Sequence, residues 1–164
     1  MSTWGRRLVR VLPAALVAGA IVWPVALGAA AVARMSGEPR AWTTVVYAMA
    51  STVCHQRPDR SFHTAGVQWP VCGRCAGLYA AAPMGAVLAL FAIRRRRIAR
   101  NRHLIAGLAM AALPTAVTLV VEWSGLAAVT SIERAVAALP LGAALAFVLV
   151  RSATGATRSA ASIG

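Results

Sequence analysis

The sequence predicts an all-α membrane protein of about four transmembrane helices, and three observations support this fold class. Hydrophobic residues make up 59% of the 164 residues, and the mean hydropathy is +0.68. Charged residues make up only 13% of the chain, whereas a soluble domain carries about 25%. Four long apolar stretches could each cross a hydrocarbon core of ~30 Å. We therefore expect a single membrane domain over residues 1–164.

The four apolar stretches run over residues 11–33, 76–93, 104–121 and 135–150, and the last is the shortest. Each contains proline, which membrane helices tolerate because neighbouring groups satisfy the freed backbone carbonyls. Small residues four positions apart would let such helices approach closely. These pairs are Gly85/Ala89, Gly107/Ala111 and Gly142/Ala146. The sequence thus predicts a helix bundle in contact with the lipid bilayer, and it leaves open whether copies of the chain form a homo-oligomer.

The first stretch has a competing interpretation as a secretory signal. It follows Arg6, Arg7 and Arg10 and ends in Ala-Val-Ala at residues 31–33, which is typical of a cleavage site. Its apolar run of about 23 residues is longer than the ~7–15 residues of a cleaved signal. We expect a retained helix, and cleavage would leave three spans.

The positive charge is arranged for membrane topology. All 17 basic residues are arginine, and the net charge is +13. Eleven arginines and no acidic residue lie before the first stretch, between the second and third, and after the fourth; the alternate loops hold six arginines and all four acidic residues. The positive-inside rule then predicts a multi-pass plasma-membrane protein with both termini in the cytoplasm. This placement argues against nucleic acid as a partner.

Two features near the outer surface agree with this topology. Trp42, Trp69 and Trp123 would all lie near the outer interface, as an aromatic belt requires. Residues 41–53 are too few to span a membrane, and their apolar residues recur at helical spacing. They predict a short helix that either lies on the lipid interface or packs into the bundle.

A dense polar motif, CHQRPDRSFHTAGVQWPVCGRCAGLY, occupies residues 54–79 and holds all three cysteines and two of the three histidines. Cys72 and Cys75 form a C-x-x-C pair. Cys54 and His55 lie 17 to 18 residues upstream of it, a usual separation between the two halves of a zinc site. We predict that these four side chains bind zinc or another soft divalent metal, with His63 as an alternative ligand.

Other uses of the cysteines stay open. Four protein ligands would make a closed, structural metal site, whereas withdrawal of His55 would leave three thiolates and an open position. A Cys72–Cys75 disulfide with Cys54 as partner would instead make the protein a membrane thiol–disulfide oxidoreductase, which an oxidising exterior favours. The three side chains could also be buried thiols that fasten the loop.

Polar residues near the cysteines predict a further function, because arginine forks bind carboxylates and phosphates. Glu122 lies at the outer end of the third stretch, where an ionisable group is costly and often functional, and Arg134 begins the fourth. The two form either a simple ion pair or, with the motif, one polar pocket for a small-molecule ligand. A transporter or lipid-headgroup-processing role is therefore the third functional hypothesis. The polar residues of this site are Gln56, Arg60, Ser61, Arg74, Glu122 and Arg134.

The motif resembles the signature of a family of small predicted membrane proteins of bacteria and archaea that is classed as a domain of unknown function. The matching residues are Cys54, His55, Gln56, Pro58, Arg60, Ser61, Phe62, Pro70, Val71, Cys72, Arg74, Cys75, Gly77 and Tyr79. The resemblance implies a family domain that extends through the later helices. His55 belongs to the pattern and His63 does not, which favours His55 as a ligand. The resemblance implies no particular reaction, so the sequence does not decide whether the protein is an enzyme.

Overall fold

The computed structural model of the protein describes residues 3–37, 40–95 and 101–162, and the side chains of residues 11–37, 40–95 and 102–155. This part of the chain contains four long α-helices, one short α-helix and a two-stranded hairpin. They are α1 (Thr3–Met35), α2 (Ala41–Ser51), β1 (Ser61–Thr64), β2 (Val67–Cys72), α3 (Gly73–Arg94), α4 (Asn101–Trp123) and α5 (Ser131–Ser162). The following charges used for topology lie outside the described residues or side chains: Arg6, Arg7, Arg10, Glu38, Arg96, Arg97, Arg100 and Arg158.

The four long helices contain apolar spans of membrane-crossing length, so the predicted fold class is confirmed. The spans are Val11–Met35, Gly73–Arg94, Arg102–Trp123 and Ser131–Gly155. The fourth was predicted as the shortest stretch, yet α5 has 32 residues. A capping box starts it early: Glu133 Oε2 accepts the Thr130 N–H at 2.7 Å, and the Glu133 N–H donates to Thr130 Oγ1 at 3.2 Å. The backbone also continues past Arg151, where the apolar run stops.

Helices α3 and α5 form the closest contact in the bundle, and glycines make this contact possible. A methyl group added to Gly77 would overlap the backbone of Ala135, and one added to Gly85 would overlap the backbone of Ala143. Gly142 faces Leu78 in the same way. Gly77 and Ala135 are as far apart in the sequence as Gly85 and Ala143. Contacts therefore advance in the same direction along both helices, so α3 and α5 run parallel. Both therefore begin at one end of the bundle.

Helix α4 is the most exposed of the four spans, and only 6% of its most apolar segment is buried. Ile105, Met110 and Val120 are each more than 60% exposed, as expected for side chains that face lipid. Gly107 meets no neighbouring atom within 4 Å. Of the three predicted small-residue pairs, the one on α4 therefore has no close helix approach at its glycine.

The short helix α2 exposes most of its apolar face. Trp42, Val45 and Met49 are 41%, 55% and 53% exposed, while Thr43 and Ala50 on the other side are buried. This arrangement favours the interfacial interpretation of the helix, because the exposed face has no partner among the described residues. Val46 is the exception and packs inward, against the cluster formed by Leu27, Ala50, Cys54 and Val71.

The predicted loop between α2 and α3 contains a β-hairpin. Its strands are antiparallel, with Thr64 opposite Val67 and Ser61 opposite Cys72. Ala65 and Gly66 turn the chain at φ values of 49° and 77°, the left-handed region that a tight two-residue turn requires. The hairpin returns the chain directly to the start of α3, which places the last residue of β2 beside the end of α2.

Candidate functional site: a cysteine and arginine cluster

The three cysteines converge from three separate elements. Cys54 follows α2 and is buried, Cys72 ends β2, and Cys75 lies in the first turn of α3. Their sulfurs all lie within 4.8 Å of one another. Tetrahedral zinc with Zn–S bonds of ~2.3 Å requires sulfurs about 3.8 Å apart. The observed spacing is therefore close to that of a three-thiolate metal site, and all three cysteines are free thiols.

The surroundings of Cys72 favour the thiolate form of its side chain. A hydrogen bond from the Cys75 thiol outweighs the effect of burial and lowers the pKa of Cys72 to about 5. Its backbone N–H donates to Cys54 Sγ at 3.2 Å, which ties two of the sulfurs together. Cys72 also holds the N-cap position of α3, where the helix dipole favours a negative charge. The thiolate is the form that binds metals and attacks disulfides.

The two predicted histidine ligands lie outside this sulfur group. The side chain of His55 is exposed but lines the same cavity as the cysteines. His63 is exposed on β1, where its register partner is Gln68. Within residues 11–37, 40–95 and 102–155, no histidine or carboxylate joins the three sulfurs in a group within 4.8 Å. The ligand role of His55 stays a prediction.

A second cluster adjoins the cysteines and is centred on Glu122, whose side chain is only 10% exposed. Arg134 binds this carboxylate with two nitrogens, Nη2 to Oε1 at 3.1 Å and Nε to Oε2 at 3.4 Å. Arg60 Nη2 lies 3.0 Å from Oε1, and Arg74 Nη2 donates to Oε2 at 3.4 Å. The Glu122 carboxylate therefore pairs with three arginines, one on α3, one on α5 and one directly before β1. This cluster is larger than a simple Glu122–Arg134 ion pair between two helices.

The parallel arrangement of α3 and α5 explains why these charges meet. Arg74 and Arg134 both lie in the first turns of their helices, and Glu122 lies at the end of the antiparallel helix α4. Thr118, one turn earlier on α4, accepts a hydrogen bond from Arg74 Nη2 at 3.4 Å. Nothing in the sequence distinguishes Thr118 from Thr115, the other threonine of the same apolar stretch.

A cavity of about 500 Å³ connects the two clusters. Its walls contain the three cysteines and four arginines but no acidic residue of the described chain. The lining residues are Val53, Cys54, His55, Gln56, Arg57, Arg60, Cys72, Arg74, Cys75 and Arg134. Of the predicted polar site, Ser61 and Glu122 do not line the cavity. Ser61 is buried, and its hydroxyl donates to Arg57 O at 2.8 Å. Glu122 pairs with three of the lining arginines.

Two glutamines hold the wall of this cavity in place. Gln56 has a positive φ of 48°, and its Nε2 donates to Tyr47 O and Pro70 O, both at 2.8 Å. Gln68 Nε2 donates in turn to Gln56 O at 2.6 Å, and Tyr47 Oη donates to Gln68 O at 2.7 Å. Sequence reasoning missed Tyr47 and Gln68. The available signal was that the chain's two glutamines both lie in this motif.

Comparison with known proteins places the chain in a family. The family model described as "Predicted membrane protein (DUF2085)" matches residues 54–148, which is more than half of the chain. The chain belongs to this family. The match begins at Cys54 and includes the cysteine motif, Glu122 and Arg134, so both clusters lie within the family domain. The resemblance predicted from the motif is confirmed.

The other comparisons add one relative. An uncharacterized protein of Methanocaldococcus jannaschii is 42% identical over 43 residues, which covers 26% of this chain and 28% of the relative. The chain thus aligns with little more than a quarter of that protein's length. No solved structure matches the chain.

Proposed function

We propose that this protein binds zinc or another soft divalent metal through Cys54, Cys72 and Cys75, in an extracytoplasmic site of a multi-pass plasma-membrane protein. The observation that carries the proposal is the convergence of three sulfurs from the end of α2, the end of β2 and the start of α3. Thiolates are preferred ligands of zinc and other soft metals. Three ligands drawn from separate elements would also let the metal stabilise the packing of α2 and the hairpin against α3.

The fourth coordination position decides what such a metal does. His55 lines the same cavity, so a rotation of its exposed side chain toward the sulfurs would complete a closed site. With His55 turned away, water or a substrate atom would occupy the position, and the metal would act as a Lewis acid toward it. The adjacent cavity gives a small molecule access to that position.

The proposed orientation follows from the distribution of charged and aromatic residues at the two ends of the bundle. Arg94 and Arg102 are exposed at the end opposite the cysteines. Trp42 and Trp123, which are 41% and 77% exposed, lie at the cysteine end. Arginines on the cytoplasmic side and tryptophans at the interface agree with the positive-inside rule. We therefore propose that both termini are cytoplasmic.

Metal analysis of the protein purified in neutral detergent tests the proposal. We expect about one metal ion per chain after loading with zinc and removal of excess, and loss of that ion in the Cys72→Ser variant. Loading with cobalt should produce a thiolate-to-metal charge-transfer absorption, which the same variant should lose. A content under about 0.2 metal per chain, unchanged in Cys72→Ser, would end the metal proposal.

A pair of histidine variants separates the closed site from the open one. The His55→Ala variant should weaken zinc binding and change the cobalt spectrum if His55 is the fourth ligand. His103→Ala is the matched control, because His103 is exposed at the start of α4, at the other end of the bundle. Equal zinc affinity in both variants would leave three thiolates as the protein ligands.

Thiol–disulfide exchange is the second candidate function, favoured by a C-x-x-C pair at a helix start with a third sulfur adjacent. Attack of the Cys72 thiolate on a substrate disulfide would form a mixed disulfide and release one substrate thiol. Attack by Cys75 would release the second thiol and leave a Cys72–Cys75 disulfide, so the substrate gains the two electrons that the chain loses. Thiol counting after incubation with a model disulfide such as oxidised glutathione tests this step: two of the three thiols should be consumed as a Cys72–Cys75 disulfide, and three thiols that all remain reactive would exclude it.

A further inference from the structure

The cavity beside the cysteines carries an excess of positive charge. Four of its lining residues are arginines: Arg57, Arg60, Arg74 and Arg134. Two carboxylates pair with them. Asp59 lies 4.0 Å from Arg57 and 3.5 Å from Arg60. Glu122 pairs with Arg60, Arg74 and Arg134. Four guanidinium groups and two carboxylates leave a net charge of +2.

Glu133, the remaining carboxylate near the cluster, does not remove this excess. Glu133 is the neighbour of Arg134 in sequence, but it is exposed, and its Oε2 accepts hydrogen bonds from the N–H and hydroxyl of Thr130. Asp59 is 65% exposed, so water screens its charge. Arg57 is 63% exposed and is screened in the same way, so the buried part of the cluster, three arginines and Glu122, keeps the net charge of +2.

The arginines retain hydrogen-bonding capacity. The Nε–H groups of Arg60 and Arg74 are buried and have no hydrogen-bond acceptor in the described part of the chain. Arg60 Nε is 3.5 Å from Asp59 Oδ2 without forming a hydrogen bond. Buried donors are normally satisfied, and an anion in the cavity would supply acceptors for guanidinium groups that Glu122 alone does not saturate.

The cluster is also rigid enough to bind an anion without a large ordering cost. The Arg134 and Arg74 side chains are only 8% and 17% exposed. Glu122 bridges both of them, and the Thr118 hydroxyl accepts a further hydrogen bond from Arg74. Preorganised donors bind more tightly because less side-chain entropy is lost on binding.

We propose that this cavity binds a phosphate monoester group through Arg60, Arg74 and Arg134. A phosphate monoester carries close to two negative charges near neutral pH, which matches the excess of +2. Its terminal oxygens present several acceptors to planar guanidinium forks, which recognise phosphate with two parallel hydrogen bonds. A phosphodiester carries one charge and fewer terminal oxygens, so it fits the cluster less well.

This inference is independent of the metal proposal. Three thiolates with a divalent ion carry a net charge of −1, and three neutral thiols carry none. The net charge of +2 on the arginine cluster is larger in magnitude than either of these charges. The anion site therefore remains positive whether or not a metal is bound. A protein without metal content would therefore still bind phosphate, and the two proposals fail in different measurements.

Calorimetric titration of delipidated protein in neutral detergent with inorganic phosphate provides the first test. Arg74→Gln and Arg60→Gln should each weaken binding about tenfold or more, the usual consequence of losing one hydrogen bond to a charged group. Arg94→Gln is the matched control, since Arg94 is exposed at the opposite end of the bundle. Arg74→Lys, which keeps the charge and loses the fork, should fall between Arg74→Gln and the wild type.

A second arm distinguishes a soluble phosphate from a lipid headgroup. The protein is reconstituted in phosphatidylcholine nanodiscs that contain either phosphatidic acid, a lipid monoester, or phosphatidylglycerol, a lipid diester, and the retained lipid is counted by native mass spectrometry. Enrichment of phosphatidic acid that Arg74→Gln abolishes would identify a lipid source. Binding of inorganic phosphate without such enrichment would identify a soluble one.

Three results would overturn the proposal. The first is that neither inorganic phosphate nor phosphatidic acid binds to the folded wild type. The second is equal binding by the Arg94→Gln and Arg74→Gln variants. The third is Arg74-dependent retention of phosphatidylglycerol equal to that of phosphatidic acid, because a site that holds both lipids through Arg74 does not select a monoester. Tryptophan fluorescence of each variant checks folding, and Arg74→Lys keeps the comparison valid if a Gln variant does not fold.

Discussion

A methyl group at Gly85 should destabilise the bundle because α3 and α5 touch there through their backbones. The added Cβ would lie 2.7 Å from the carbonyl carbon and 2.8 Å from the Cα of Ala143. Carbon atoms in ordinary contact are about 3.5–4.0 Å apart, so the helices would have to separate locally by roughly 1 Å. Overpacking of this kind costs about 1–3 kcal/mol. We expect the upper half of that range, since Gly77 and Gly142 lose their contacts in the same movement.

Reversible unfolding in mixed micelles with increasing dodecyl sulfate measures this cost. Tryptophan fluorescence and the reactivity of the buried Cys54 thiol report the transition. Gly107→Ala is the matched control, because Gly107 lies on a membrane helix with no atom within 4 Å of the added methyl group. Its free energy of unfolding should stay unchanged or rise slightly. Equal stabilities of the Gly85→Ala and Gly107→Ala variants would refute the close parallel packing of α3 and α5.

Three further predictions concern the polar end of the bundle. Glu122→Gln should lower the free energy of unfolding by about 3 kcal/mol, the low end of the cost of breaking a buried ion pair, because Arg60 is 30% exposed. The exposed control Asp59→Asn should change this free energy little in the same micelle titration. A Glu122→Gln variant as stable as that control would contradict the cluster. Gln56→Ala removes two hydrogen bonds, so it should speed alkylation of Cys54 by iodoacetamide, whereas an unchanged rate would show that the glutamine does not hold the cavity wall. In a cysteine-free background, Ser124→Cys should react with a membrane-impermeant maleimide in intact cells and Arg94→Cys only after permeabilisation; the reverse pattern would invert the proposed topology.

The local features of the protein were predictable from its sequence. Apolar stretches of about 20 residues determine membrane-crossing helices because each backbone hydrogen bond is satisfied within its own segment. The four predicted stretches lie inside the four observed spans, and the predicted short helix over residues 41–53 corresponds to Ala41–Ser51. The C-x-x-C pair is equally local, because one helical turn brings residues three apart onto the same side.

The β-hairpin was not predicted, and the reason is physical. The motif carries no clear alternation of polar and apolar residues, since its side chains bond to one another and to backbone carbonyls. Gln56 and Gln68 satisfy partners 9 to 14 residues away. Periodicity detects only regular burial, so the sequence predicts a loop where the structure has a short hairpin held by amide side chains.

What the sequence alone determined is therefore the membrane class, the number of spans and the cysteine pair, because each depends on neighbouring residues and on the solvent. The tertiary structure decided which distant groups meet. Cys54 joins the C-x-x-C pair because the hairpin reverses the chain, and Glu122 meets Arg74 and Arg134 because α3 and α5 run parallel beside α4. Such contacts depend on the packing of whole helices, which composition and periodicity do not encode.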